Sequence, residues 1–202
     1  MKKIRLILAL AALALVQTVH AGILEIRGGY GINSANPDAF ETRVNSLSAT
    51  TLDADNFDNY HVDVFFDLPV LPFGVGIRHE WIKQDQSSSG SDWDVDAKNV
   101  SILVDWRLLD TLIYLGPIVG IGYPSAEVDF NSGTTHVSDK IKSGQPSYSI
   151  GAEAGVKLGK FLIGAEAGYS SLKFEKISNA NVNTKVDLSG FYGKVMAGLT
   201  FF

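Results

Sequence analysis

The strongest constraint on this chain is a two-residue period that returns in eight segments, each with one apolar face and one face that mixes glycine with charge. Successive side chains of a strand point to opposite sides, so this period belongs to half-buried β-strands and not to helices. In Gly22 to Ile32, Leu24, Ile26, Tyr30 and Ile32 oppose Glu25, Arg27, Gly29 and Gly31. In Tyr60 to Leu68, Tyr60, Val62, Val64, Phe66 and Leu68 oppose His61, Asp63, Phe65 and Asp67. Phe73 to Lys83 sets Phe73, Val75, Ile77 and Trp81 against Gly74, Gly76, Arg78 and Glu80, with His79 the polar exception on its apolar face. Lys98 to Leu108 alternates Val100, Ile102, Val104 and Trp106 with Ser101, Leu103, Asp105 and Arg107. The later segments are Leu112 to Tyr123, Tyr148 to Leu158, Phe161 to Ser171, and Val186 to the C-terminus. An even number of strands closes a barrel with both chain ends on one side.

The connections alternate in length, which is a second, independent signal. Long polar stretches, expected to be loops, follow odd strands: Asn33 to Asn59, Gln84 to Ala97, Pro124 to Ser147 and Leu172 to Lys185. Tight turns follow even strands: Pro69 to Pro72, Leu109 to Thr111, and Gly159-Lys160. Tyr30, Tyr60, Trp81, Tyr123, Tyr148, Tyr169 and Phe191 lie at the loop ends, while Phe66, Phe73, Trp106, Phe161 and Phe201 lie at the turn ends. Two aromatic girdles at the two membrane interfaces are expected.

Lys2, Lys3 and Arg5 precede an apolar run from Ile4 through Val16 and the small-residue pattern Val19-His20-Ala21. Residues 1–21 therefore read as a cleaved signal peptide and 22–202 as a single barrel domain. No later stretch approaches the roughly 20 apolar residues of a helical span. Removing the leader takes three of the 17 Lys and Arg and none of the 22 Asp and Glu, leaving a formal charge of −8 that argues against a nucleic-acid partner. With no cysteine there is no disulfide framework and no thiol for a lipid anchor. The mean hydropathy of +0.11 is ordinary, as alternation dilutes the apolar residues.

Alternation suits a soluble, lipocalin-like barrel as well, in which the apolar face points inward to a ligand. Glycine placement favours the membrane reading: Gly29, Gly31, Gly74, Gly76, Gly116, Gly120, Gly122, Gly151, Gly155, Gly164 and Gly168 share the charged face. Strand glycines on a wet exterior weaken a sheet without compensation, whereas inside a narrow lumen they leave room for Arg, Lys and Glu. The eight strands, the leader, the stretch Tyr114-Leu115-Gly116-Pro117-Ile118-Val119-Gly120-Ile121-Gly122-Tyr123 and the ending Leu199-Thr200-Phe201-Phe202 together resemble the small bacterial outer-membrane β-barrels of the OmpA, OmpX and OmpW type, over the whole of 22–202. That resemblance implies an all-β, eight-stranded antiparallel up-and-down barrel in the outer membrane of a Gram-negative cell, with periplasmic termini. It also implies contact with outer-membrane lipid and lipopolysaccharide, and insertion by the barrel assembly machinery, which reads the last strand. The apolar period ends on Phe201, so Phe202 falls off-phase unless a bulge intervenes.

Turn lengths propose registers for the interior. The Pro69 to Pro72 turn sets Asp63 opposite Arg78 and His61 opposite Glu80, and the Gly159-Lys160 turn sets Glu153 opposite Glu166. The expected lumen network is Glu25, Arg27, Asp63, Arg78, Glu80, Asp105, Arg107, Glu153, Lys157, Glu166 and Lys194. It reads as a packed salt-bridge plug, or as a proton-sensitive gate around Glu153 and Glu166. No catalytic motif joins His61, His79 or His136 to a serine and an acid, so an enzyme, here a lipid-modifying one, is not expected. The runs Asp53, Asp55, Asp58 and Asp92, Asp94, Asp96 lack calcium-loop spacing and read as solvated loop faces, so no metal or cofactor is expected. The expected role is structural or surface-interacting through the loops. The alternative is a narrow channel for small solutes or hydrophobic molecules, with lateral opening at Ala152, Ala154, Ala165 and Ala167.

Overall fold

The computed structural model describes residues 24–35, 56–67, 71–88, 91–132, 135–142, 145–176 and 185–201; the expected leader and Phe202 lie outside them. The strands are β1 (Leu24–Ala35), β2 (Phe57–Asp67), β3 (Phe73–Ser88), β4 (Ser91–Trp106), β5 (Leu109–Asp110), β6 (Ile113–Ser132), β7 (Thr135–Lys142), β8 (Ser147–Leu158), β9 (Phe161–Ser171), β10 (Lys173–Lys176), β11 (Lys185–Asp187) and β12 (Gly190–Phe201). The order β4-β3-β2-β1-β12-β9-β8-β6 is closed by pairing of β4 with β6, giving an eight-stranded antiparallel barrel. First and last strands meet, with Leu24 opposite Phe201.

The sidedness follows the period. Ile77, Ile102, Ile150 and Ile163 are exposed on the outer surface, while Arg27, Asp63 and Asp105 are buried in the lumen. The inward glycines make room for charged side chains and for rings: a Cβ on Gly31 would meet Lys194, and one on Gly74 would meet Asp67 and Asp105. A Cβ on Gly76 would meet the Phe65 ring at 2.7 Å, and Cβ atoms on Gly155 and Gly164 would run into Tyr114. Gly159, with φ of 65°, supplies the left-handed residue of the β8–β9 turn.

At the loop end the strands run further than the sequence reading allowed. The expected loop Gln84 to Ala97 continues β3 and β4 in unbroken register, from Phe73 opposite Trp106 to Ser88 opposite Ser91. Pro124 to Ser147 extends β6 to Ser132 and adds β7, which folds back on it. Within Leu172 to Lys185, β10 forms a small sheet with β11, and the final barrel strand starts at Gly190 rather than Val186. The reason is that alternation persists here under polar composition: Val95 and Ala97 alternate with Asp94 and Asp96, and Ala126 and Val128 with Glu127 and Asp129.

These inward residues build a second core. Ala35, Phe57, Ile82, Val95, Ala97, Ala126 and Val128 pack with Leu172, Phe174, Val186 and Leu188 into one buried cluster over the mouth. Its base is tied by Leu188 N–H to Leu172 O (2.8 Å) and by the Asn33 amide to Leu188 O (3.3 Å). Phe57 is fully buried there. Phe57→Ala is expected to cost about 3–5 kcal/mol of local stability. Proteolysis between residues 84 and 97 should accelerate, while the heat-modifiable gel migration of the closed barrel persists.

Candidate functional site: the charged lumen

All eleven charged residues expected inside lie on the inward face, and they divide into two clusters. At the turn end, Arg107 Nη1 and Nη2 donate to the two carboxylate oxygens of Glu25, both at 2.7 Å. Arg27 bridges Glu25 Oε2 (2.7 Å) to Glu153 Oε2 (2.7 Å), under the Phe65 ring at 4.2 Å. Asp105 accepts from Arg107 Nε (3.1 Å) and from the Gly74 N–H (2.8 Å). Lys157 reaches Glu25 at 3.4 Å and also pairs with Asp110.

At the loop end Arg78 is doubly forked. Its Nε and Nη2 donate to Asp63, both at 2.7 Å, and its Nη1 and Nη2 donate to Glu166 at 2.9 and 2.6 Å. Tyr192 OH also donates to Glu166, at 2.8 Å. Lys194 pairs with Glu80, which accepts further from Asn99 (3.0 Å) and Asn59 (3.4 Å). Phe65, Leu103 and Ile118 form an apolar group within the lumen.

The registers set His61 opposite Glu80, Asp63 opposite Arg78 and Glu153 opposite Glu166. The facing carboxylates are neutralised separately, Glu153 by Arg27 and Glu166 by Arg78. That separation removes the like-charge cost of the pair without requiring a shared proton.

Several participants lie outside the expected network of eleven. Asn59, Asp67, Asn99, Tyr114 and Tyr192 are in phase with the lumen, and that phase is the signal that finds them. Asp110 was out of phase, because the β4–β6 register shifts by one residue between Asp105 opposite Ile118 and Asp110 opposite Tyr114. The extra residue turns Asp110 inward, a local irregularity with no sequence marker.

The aromatic residues Tyr30, Tyr60, Tyr123, Tyr148, Tyr169 and Phe191 at the loop end and Phe66, Phe73, Trp106, Phe161 and Phe201 at the turn end are exposed on the outer wall. Trp81 is half-buried, with the His79 ring 4.2 Å away. His79 faces outward between Val62 and Val100 in the neighbouring strands. Of the acidic runs, Asp53 and Asp55 lie outside the described residues. Asp58 accepts from Tyr30 OH (2.6 Å), and Asp96 pairs with Lys83 (3.1 Å). Among the described residues no three His, Asp or Glu side chains converge to hold a metal ion.

The closed eight-stranded wall, apolar outside and ionic within, defines the fold class of small outer-membrane barrels. Among solved structures, the chain is similar to the attachment invasion locus protein Ail of Yersinia pestis, with a TM-score of 0.58 and 20% identity over 90% of this chain and 99% of that one. It is similar to Neisserial surface protein A at TM-score 0.56 and 13% identity, over 91% and 100% of the two chains. A major outer membrane protein of Thermus thermophilus gives TM-score 0.54 and 12% identity, over 90% and 100%. These likenesses show the fold. No protein-family model and no curated protein matches the sequence.

Breaking a buried ion pair leaves its partners uncompensated and costs about 3–5 kcal/mol. Arg78→Ala strands both Asp63 and Glu166, so its urea midpoint, read by the loss of heat-modifiable migration, is expected to fall accordingly. Arg78→Lys should recover only part of the loss, because an ammonium cannot fork to two carboxylates at once.

Proposed function

We propose that this chain is a sealed, non-enzymatic barrel of the bacterial outer membrane that strengthens the envelope and presents a rigid β-sheet outward for contact with a partner. The observation that carries this is the filling of the lumen: forked arginines occupy its length and an apolar core covers its loop-end mouth. Residues 1–21 act as the cleaved leader, the termini lie in the periplasm, and the girdles contact outer-membrane lipid and lipopolysaccharide. The last strand, which ends with the outward-facing Phe201 beside Leu24, is the segment for the barrel assembly machinery to read.

The channel reading has less support. Strands β8 and β9, where the small outward residues Ala152, Ala154, Ala165 and Ala167 lie, are paired without interruption from Tyr148 opposite Ser171 to Leu158 opposite Phe161, so the wall has no lateral gap there. In planar bilayers the refolded protein is expected to show no stable conductance at any pH from about 4 to 8. Steady single-channel steps would overturn the sealed reading, and steps confined to acid pH would restore the gate.

Above the girdle Asp85, Asp94 and Asp129 stand side by side on three neighbouring strands, while in the next row Asp96 and Glu127 are paired with Lys83 and Lys140. The Yersinia pestis Ail protein has been solved in complex with the heparin analogue sucrose octasulfate. The row of Asp85, Asp94 and Asp129 repels such a polyanion, so a cationic group fits this part of the surface better.

Partial burial, followed by the facing Asp85 and Asp129, holds the Asp94 carboxyl above its ordinary range. A carboxyl raised by folding contributes stability that is present at acid pH and lost as pH rises through its raised value. Asp94→Asn is therefore expected to slow amide exchange in the outer sheet relative to the native protein at about pH 8. Near pH 3, below the ordinary carboxylate value, the difference should vanish.

A further inference from the structure

Among the described residues, His79 is the one basic or acidic side chain on the outer wall between the two girdles. It stands at the foot of a basic row. Trp81, whose ring lies 4.2 Å from that of His79, is opposite Lys98 on β4; Lys98 is opposite Ser125 on β6, and Ser125 is opposite Lys142 on β7. The strand period places Lys142 on the face of Lys140, which pairs with the outward Glu127. One row of the outer surface is therefore Trp81, Lys98, Ser125 and Lys142. The row beneath it is His79, Val100 and Tyr123.

The charge of this row is not cancelled from within the wall. Lys98 is exposed and has no ion pair among the described residues. The acids of the row above are already engaged, Asp96 with Lys83 and Glu127 with Lys140, both at 3.1 Å. The segments that adjoin β7 in the chain, 133–134 and 143–144, contain no acid. Lys98 and Lys142 stand on strands about 10 Å apart, with a serine hydroxyl between them and the hydroxyl of the exposed Tyr123 below. Such an arrangement of donors suits one compact anion with several acceptor oxygens.

The level of the row fixes what carries that anion. Immediately below His79, Val100 and Tyr123 lies the exposed apolar row Ile77, Ile102 and Ile121, and above Lys98 the outward residues are charged. This is the height at which lipid headgroups meet acyl chains. We infer that Lys98, Ser125 and Lys142, with Tyr123 and His79 beneath them, receive the phosphate monoester of an outer-leaflet lipid, whose chains descend over the isoleucine row. The inference rests on the apolar wall facing lipid, as proposed above, and names the group that this wall recognises.

The test uses the refolded mature chain in maltoside micelles at about pH 8, where a phosphate monoester carries nearly two charges. The readout is the midpoint of thermal loss of heat-modifiable migration. Micelles doped with dodecyl phosphate are compared with micelles doped with dodecanol and with undoped micelles in inorganic phosphate, at matched concentration and ionic strength. Dodecyl phosphate is expected to raise the midpoint by about 5 °C, and the other two additions to leave it in place. The Lys98→Gln/Lys142→Gln double variant should lose most of that increment over its own undoped midpoint, and Lys98→Arg/Lys142→Arg should keep it. An unchanged native midpoint overturns the inference, as does an increment that survives intact in the glutamine variant. An equal rise with inorganic phosphate overturns the lipid source, and an equal rise with dodecanol overturns the phosphate. If the variants do not insert, the three native arms decide alone. Loss of heat-modifiable migration in every arm would instead sink the membrane-barrel reading itself.

Discussion

Backbone amides have no water to turn to inside a bilayer, and that requirement organises the rest of the molecule. Only an arrangement that pairs each N–H and C=O within the protein can cross, and for strands this means a sheet without edges. The β1–β12 and β4–β6 ladders supply the closure. Eight strands then fix a lumen just wide enough for side chains to fill, so the inner face must be packed rather than left open. The inward glycines follow from this. Gly76 lies beneath Phe65, and Gly155 and Gly164 lie beneath Tyr114, because two large side chains cannot share one level of so narrow a tube.

Filling that tube with ions rather than hydrocarbon has a physical logic. A chain apolar on both faces would offer long hydrophobic segments to any partner before it reached a membrane, whereas alternation keeps the mean hydropathy near neutral. The cost is desolvation of buried charge, and arginine offsets it through geometry. Its planar fork satisfies Asp63 and Glu166 together at Arg78, and both oxygens of Glu25 at Arg107. Lys194, by contrast, meets a single carboxylate, Glu80.

The barrel was legible in the sequence because its signal is redundant: period, connection length and glycine placement each point to it independently. Registers could be read wherever a short turn fixed them, as with Asp63 opposite Arg78 and Glu153 opposite Glu166. What pairs across the lumen was not legible. The contacts of Arg27 with Glu153 and of Arg78 with Glu166 join strands 126 and 88 residues apart, and no local spacing encodes which inward charges meet across a tube. Asp110 was hidden by a one-residue slip that turns it inward. The outer sheet was hidden by composition. Ser, Asp and Asn between residues 84 and 97 read as loop, yet Val95 and Ala97 keep the phase of Asn99 and Ser101 below them.

That continuity of phase explains how one wall serves two solvents. The inward face changes from ionic to apolar above Glu80 and Asn99, while the outward face changes from apolar to charged over the same few residues. Within the bilayer the grease must face out, so the charges are driven in. Beyond the girdle water lies outside, and the ordinary rule of a soluble protein returns, with Ile82, Val95 and Phe57 packed inside. The two halves share a single register, so the outer sheet inherits its rigidity from the barrel ladder below it. Its shape is set by unbroken strand pairing from Phe73 opposite Trp106 to Ser88 opposite Ser91, and not by the conformational freedom expected of a polar loop.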